Sequence, residues 1–138
     1  MSAGWETLFT ATGIADSAVA ALVGDAIEVT AGPITDLFTS PTTGVAQDNI
    51  SRVSATVNDR AFQFSARVQA PLRSMFDAGV LLVETGDSNW GKLCLEQTPA
   101  GQASAVSVVN RGVSDDANGW LLDSPDAWMR ISREGDVF

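Results

Sequence analysis

Hydrophobic and polar residues alternate along most of this sequence with a period of two, which predicts β-strands. The clearest instance is the segment 76–96, FDAGVLLVETGDSNWGKLCLE, which predicts two strands joined by a polar turn at 86–89. Successive side chains of a strand lie on opposite faces of its sheet. We therefore expect Leu93 and Leu95 to face a core. The opposite face of that strand carries Trp90, Lys92, Cys94 and Glu96.

The same alternation predicts five further strands, at 26–30, 52–57, 61–70, 103–110 and 128–133. In the third of them the residues Phe62, Phe64, Ala66 and Val68 point one way. The residues that point the other way are polar or charged: Gln63, Ser65, Arg67 and Gln69. We interpret Trp5 and Trp128 as residues that pack in the core or at its edge.

A turn, a loop and one ambiguous segment complete the prediction. Asn58-Asp59 suits a tight hairpin turn, and the Asp-rich segment 112–126 suits a long loop around Trp120. Residues 5–24 are ambiguous: the stretch ADSAVAALV fits either a helix capped by Asp16 or Ser17 or a strand. Short strands with frequent turns predict an all-β antiparallel two-sheet sandwich that occupies 1–138 as a single domain.

Composition limits the classes of function. The chain has 138 residues, a formal net charge of −9 and only 8 Lys and Arg residues. Nucleic acid and anionic membranes both require a basic surface, so we expect neither as a partner. The chain contains no His, which excludes Ser-His-Asp and Cys-His nucleophiles and imidazole metal ligands. We expect no cofactor.

The cysteine content and the first residues bear on the compartment. Cys94 is the single cysteine and cannot form an internal disulfide, so nothing indicates an oxidising environment. The N-terminal residues MSAGWETLFT lack the basic start and apolar run of a signal peptide. No apolar run reaches transmembrane length. These features predict a soluble, cytoplasmic protein.

The order and spacing of several motifs resemble the concanavalin A-like lectin and glucanase jelly-roll superfamily. Within it, the chain is similar to a bacterial group of uncharacterised regulation-of-enolase-protein-like domains. The resemblance covers about 27–138 and implies a concanavalin A-like jelly roll with a concave sheet face that binds or cleaves glycans. The motifs that carry it are Thr35-Asp36-Leu37-Phe38, Phe62-x-Phe64-x-Ala66-x-Val68, Phe76-Asp77-Ala78-Gly79-Val80-Leu81-Leu82, Asn89-Trp90-x-Lys92-Leu93-x-x-Glu96, Ser107-Val108-Val109, Ser114-Asp115 and Trp128-x-Arg130-Ile131-x-Arg133-x-Gly135-Asp136.

One departure from that pattern concerns the end of the chain. Similar domains continue through further strands after the Arg-x-Gly-Asp-x-Phe segment, whereas this sequence ends at Phe138. The resemblance therefore implies a sandwich that lacks its last strands. Unpaired strand edges invite pairing with another chain, which predicts a homodimer.

The polar face of the strand at 89–97 is the first candidate ligand site. An indole beside a cation and a carboxylate suits a polar, ring-shaped ligand such as a sugar. The alternative is a solvated face on which Trp90 covers the core edge and Lys92 pairs with Glu96. Asp77 either accepts hydrogen bonds from a ligand or fixes the loop 71–75. The candidate ligand-binding residues are Asp77, Trp90, Lys92, Glu96, Arg111 and Trp120.

Each of the last two candidates has a structural alternative. Trp120 either stacks on a sugar ring or anchors its loop. Arg111, Arg130 and Arg133 either contact an acidic sugar through bidentate hydrogen bonds or neutralise nearby carboxylates.

Catalytic and metal sites have poorer support. Glycoside hydrolysis requires two carboxyl groups, about 5–5.5 Å apart for retention and about 6.5–9.5 Å apart for inversion. Glu84 and Glu96 lie on neighbouring predicted strands and form the candidate pair, although the sequence does not fix their separation. For a metal we favour none. The oxygen ligands that Ca²⁺ prefers would come from Asp115, Asp116 and Asn118.

Three classes of function remain open. The first is a carbohydrate-binding, lectin-like domain that uses the concave sheet face for a glycan or small sugar. The second is a glycoside hydrolase with paired carboxylates. The third is a non-catalytic interaction or regulatory domain that uses the sheet edge or the concave face for a protein partner. We favour the first.

Overall fold

A computed structural model describes residues 10–12, 19–86 and 88–138. Twelve β-strands and no helix are present in these ranges, and every strand pair is antiparallel. The predicted all-β antiparallel fold is thereby confirmed. The chain divides into two compact units, the first up to Thr39 with Val45–Asn58 and the second comprising Ser40–Gly44 with Asp59–Phe138. The prediction of one domain stays a prediction.

In the first unit, the described residues form six short strands arranged as three two-stranded ladders. β1 pairs with β6, β2 with β3, and β4 with β5. Asp36 stabilises the last ladder through its backbone N–H, which donates to Asn49 Oδ1 at 2.8 Å. The strands of this unit are β1 Thr10–Thr12, β2 Val19–Val23, β3 Ala26–Thr30, β4 Leu37–Thr39, β5 Ala46–Asp48 and β6 Arg52–Ser54.

The second unit contains six longer strands in two antiparallel sheets. One sheet has four strands in the order β11-β10-β9-β8, and the other pairs β12 with β7. The predicted pairing of β8 with β9 is present, and β9 forms a second hairpin with β10 whose turn lies at 98–102. The strands are β7 Ala61–Gln69, β8 Ala78–Gly86, β9 Asn89–Gln97, β10 Ala103–Arg111, β11 Ser114–Leu121 and β12 Asp126–Glu134.

The core of the second unit lies between its two sheets. Leu81 and Leu95 of the four-stranded sheet and Met129 of β12 are buried in one cluster. Phe64, Ala66 and Val68 of β7 pack against that cluster, as their alternation predicts. A Cβ at Gly79 would lie 2.5 Å from Val68 Cγ1, so the glycine allows β8 to approach β7 closely.

Three predictions of secondary structure require comment. The segment 112–126 is not a long loop, because β11 pairs with β10 across most of it. The hairpin at Asn58-Asp59 is wrong as well, since β6 pairs with β1 and β7 pairs with β12. Of the ambiguous segment, Val19–Val23 is a strand, while the proposed cap residues Asp16 and Ser17 lie outside the described residues.

The outer strands of the four-stranded sheet are β8 and β11. Pairing of such an edge with a second copy of the chain stays a prediction. In the part of the chain that the structure describes, no helix is long and apolar enough to cross a membrane.

Candidate functional site

The predicted facing of β9 is confirmed, but its polar face is not open to water. Leu95 lies in the core, and Trp90, Cys94 and Glu96 pair with Asn110, Val106 and Ser104 of β10 on the opposite face. Trp90 is only 8% exposed. The prediction of an open stacking surface there is wrong, because the β10 residues beside this face are themselves buried.

Lys92 and Glu96 are half-buried on this strand. The Lys92 Nζ lies 5.7 Å from the centroid of the Trp90 ring, a cation–π contact that accounts for the position of the ammonium group. At about 3.3 Å per residue, the Cα atoms of Lys92 and Glu96 lie about 13 Å apart along the strand. The trio therefore packs as part of the sheet instead of converging on a ligand.

Of the two roles that the sequence left open for Asp77, ligand binding or fixing the loop 71–75, the structure shows the second. Its Oδ2 accepts hydrogen bonds from the backbone N–H groups of Arg73 at 3.0 Å and Ser74 at 2.9 Å. A carboxylate that accepts two local N–H groups closes a tight turn. Asp77 thus fixes the loop before β8.

Arg111 and Trp120 do not join the face of Trp90. Arg111 pairs with Asn89, so its side chain leaves the opposite side of the sheet. Trp120 is 72% exposed and lies on β11 instead of in a loop. Its part in ligand binding stays a prediction that substitution can test.

The candidate metal ligands do not converge. Asp115 pairs with Val109 and Asp116 with Val108, so the two carboxylates lie on opposite faces of β11. Only Asn118 shares a face with Asp116. The described residues contain no group of three or more Asp, Glu or Cys side chains that could hold a metal ion.

The prediction of Glu84 and Glu96 as a catalytic pair is wrong, because the two residues lie too far apart. Glu84 is directly opposite Trp90, six residues from Glu96 along β9. That separation corresponds to about 20 Å at about 3.3 Å per residue. Two carboxyl groups that act on one glycosidic bond lie within about 9.5 Å. Glu84 and Glu96 cannot flank the same bond.

A different surface combines an open aromatic ring with polar side chains. Trp128, the third residue of β12, is 77% exposed on the face of the β7–β12 sheet that points away from the core. Because β7 and β12 pair without a register shift over nine residues, their outward side chains form two straight rows. We call this surface the Trp128 face: Gln63, Ser65, Arg67, Gln69, Asp126, Trp128, Arg130 and Ser132.

An ion pair fixes one guanidinium on this face. Arg67, which is directly opposite Trp128, donates from Nε to Asp126 Oδ1 at 2.9 Å. Its Nη2 donates to the other oxygen of the same carboxylate. This two-pronged pair raises the pKa of Arg67 and holds the pKa of Asp126 below its ordinary value, chiefly through the side-chain hydrogen bond. Arg67 is therefore oriented beside the indole.

A second guanidinium lies on the other side of the indole. Arg130 donates from Nε to Ser65 Oγ at 3.0 Å, and Ser65 is its direct partner across the strands. Trp128 and Arg130 are two residues apart, so their Cα atoms are about 6.6 Å apart on one face. An aromatic ring is thus flanked by two positioned cations on an otherwise acidic protein.

The sequence contained the signal for this face. The interpretation of Trp128 as a residue that packs in the core or at its edge is wrong. Met129 and Ile131 take the inward positions of β12. The outward positions are therefore left to Trp128, Arg130 and Ser132. The alternation of β7 had already assigned Arg67 to an outward row. What the sequence lacked was the pairing of β7 with β12, two strands separated by more than fifty residues.

The ion pair predicts a pH-dependent contribution to stability. Since the pKa of Asp126 is lowered in the folded state, its contribution is present above the unfolded value of about 3.9 and is lost as the pH falls through the folded pKa. In a carbon-detected NMR titration, we expect the Asp126 carboxyl group to protonate below the ordinary pH range of an Asp side chain. In the Arg67→Gln variant, we expect the pKa of Asp126 to return to that ordinary range. An unchanged titration in Arg67→Gln would contradict this assignment.

The fold and this surface define the class of protein as an antiparallel all-β sandwich of the concanavalin-like jelly-roll type. Residues 15–138 match the model of a family described as "Protein of unknown function (DUF1349)", and the chain belongs to that family. The narrower regulation-of-enolase-protein-like assignment stays a prediction.

Two further comparisons concern a solved structure and the curated proteins. The chain is similar in structure to a functionally unknown protein from Saccharomyces cerevisiae, with a TM-score of 0.74 and 24% sequence identity. The similarity covers 93% of this chain and 68% of the yeast chain, and at this identity it shows the fold alone. No curated protein matches the sequence.

Proposed function

We propose that this protein is a carbohydrate-binding domain whose ligand lies on the Trp128 face. The observation that carries the proposal is the exposed indole of Trp128 with two hydrogen-bonded arginines, Arg67 and Arg130, at neighbouring positions of the same sheet face. An exposed indole offers a large, rigid apolar surface for contact with a partner. Its neighbours are polar, which suits a partner that is itself largely polar.

A sugar ring matches this combination better than a protein side chain. Indole faces bind the apolar face of a pyranose, and ring hydroxyls then require hydrogen-bonding groups around the rim. Gln63, Gln69 and Ser132 provide amide and hydroxyl groups in the same two rows as the indole. Both donors and acceptors are therefore available at the edge of a stacked ring.

Binding fits this face better than hydrolysis. In the described strands, the carboxylates of the two outward rows are Asp126 and Glu134, which lie eight residues apart on β12. At about 3.3 Å per residue they are about 26 Å apart, beyond the separation that glycoside hydrolysis uses. Asp126 is also engaged by Arg67. We therefore propose a non-catalytic domain.

Calorimetry against a panel of neutral and acidic oligosaccharides tests the proposal. We expect saturable binding of at least one saccharide class at micromolar to low millimolar concentration, with the ligand recovered uncleaved. An absence of binding across the whole panel would contradict carbohydrate recognition. Release of shorter saccharides from the recovered ligand would contradict the non-catalytic assignment.

A further inference from the structure

We infer that the saccharide bound on the Trp128 face carries a carboxylate and that Arg130 recognises this group. The inference rests on the proposed function and narrows it to acidic sugars such as uronic acids. It follows from the different partners that the two arginines of this face have, and from where each guanidinium lies relative to the indole.

The charge of Arg67 is already matched within the protein. Both oxygens of Asp126 accept from its guanidinium, so Arg67 and Asp126 together add no net charge to the face. Arg67 then acts as a positioning residue that supports one side of the indole. Because Arg67 is paired with Asp126, an anionic group of a ligand must be bound by another cation.

Arg130 is that cation. Among the described residues its side-chain partner is the hydroxyl of Ser65, a neutral group, and no carboxylate pairs with it. Ser65 accepts from Nε, and among the described ion pairs none engages the two terminal nitrogens of this guanidinium. Terminal guanidinium nitrogens bind a carboxylate through two parallel hydrogen bonds.

The spacing suits a ring with an acidic substituent. Trp128 and Arg130 are neighbours on one face of β12, about 6.6 Å apart at Cα. A pyranose stacked on the indole would direct an exocyclic carboxylate along the row towards Arg130. Neutral sugars would leave this guanidinium without a charged partner.

The overall charge makes the inference specific. A protein with a net charge of −9 repels anions at long range, so attraction by the general field cannot explain acidic-sugar binding. Any preference for an acidic saccharide must arise from a local contact. A single substitution at that contact should therefore remove the preference.

The test compares oligogalacturonate with its fully methyl-esterified form, two ligands that share rings and linkages and differ in charge. We expect the wild-type protein to bind the acid at least about tenfold more tightly, the range of one hydrogen-bonded charge pair. Arg130→Gln should reduce the affinity for the acid by about the same factor and so bring it close to the affinity that the same variant has for the ester. Arg73→Gln, which changes the net charge equally at an exposed loop residue, should leave both affinities unchanged.

Two further variants separate contact from orientation. Arg130→Lys keeps the charge and removes the bidentate geometry, so we expect it to lose part of the preference for the acid. Ser65→Ala releases the Nε of Arg130 and should lower the ratio of the acid affinity to the ester affinity by a few-fold. A preference retained in Arg130→Gln would overturn the inference.

The two proposals fail in different ways. Equal affinities for the acid and the ester in the wild-type protein, or an equal loss of both in Arg130→Gln, would overturn the carboxylate inference and leave carbohydrate binding intact. If neither the acid nor the ester bound, and no neutral saccharide bound either, both the carbohydrate-binding proposal and the carboxylate inference would be overturned. Thermal unfolding of each variant ensures that lost affinity is not lost folding.

Discussion

Trp128→Ala is expected to weaken saccharide binding by roughly 25-fold or more. Truncation of a central aromatic residue in a binding site costs at least about 2 kcal/mol, and about 1.4 kcal/mol corresponds to a tenfold change in affinity. Because Trp128 lies outside the core, we expect the free energy of unfolding to change little. Calorimetry of the variant with the tightest saccharide of the panel measures the loss.

Trp120→Ala is the matched comparison. Trp120 is almost equally exposed, but it lies on β11 of the other sheet. We expect this variant to bind like the wild-type protein. If Trp120→Ala abolished binding while Trp128→Ala kept it, the ligand would lie on the four-stranded sheet and the proposed site would be wrong.

Leu95→Ala is expected to lower the free energy of unfolding by about 2–5 kcal/mol. Leu95 is fully buried between the two sheets of the second unit, beside Leu81 and Met129. The substitution removes buried apolar surface and leaves a cavity that neighbouring side chains fill only in part. Urea unfolding, followed by tryptophan fluorescence, measures the change.

Leu121→Ala provides the control on the same sheet. Leu121 is 58% exposed at the end of β11, so the same change of side chain should alter the free energy of unfolding by no more than about 0.5 kcal/mol. Equal effects of the two substitutions would show that the core does not lie between these sheets.

Much of the fold follows from short-range patterns in the sequence. The period of two assigned Leu93 and Leu95 to the core, and the polar turn before β9 indicated its hairpin with β8. These features depend on residues close together in the chain. The errors arose where distant strands decide the pairing, as when β7 pairs with β12 instead of β6.

The candidate site was less accessible to sequence analysis. Alternation shows which side chains share a face, but it does not show which of two polar faces is open to water. Trp90 and Trp128 both occupy strand positions beside charged residues, yet one is buried and the other exposed. The distinction depends on burial in the folded chain, which no local pattern determines.

The most direct test of the account observes all four tryptophans at once. Each indole N–H gives one NMR signal, which single substitutions assign, and an oligosaccharide is then titrated into the labelled protein. We predict that the Trp128 signal shifts with saturation, together with backbone signals of β7 and β12, while those of Trp90 and Trp120 stay in place. Shifts centred on Trp90 or Trp120, with Trp128 unchanged, would contradict the central claim.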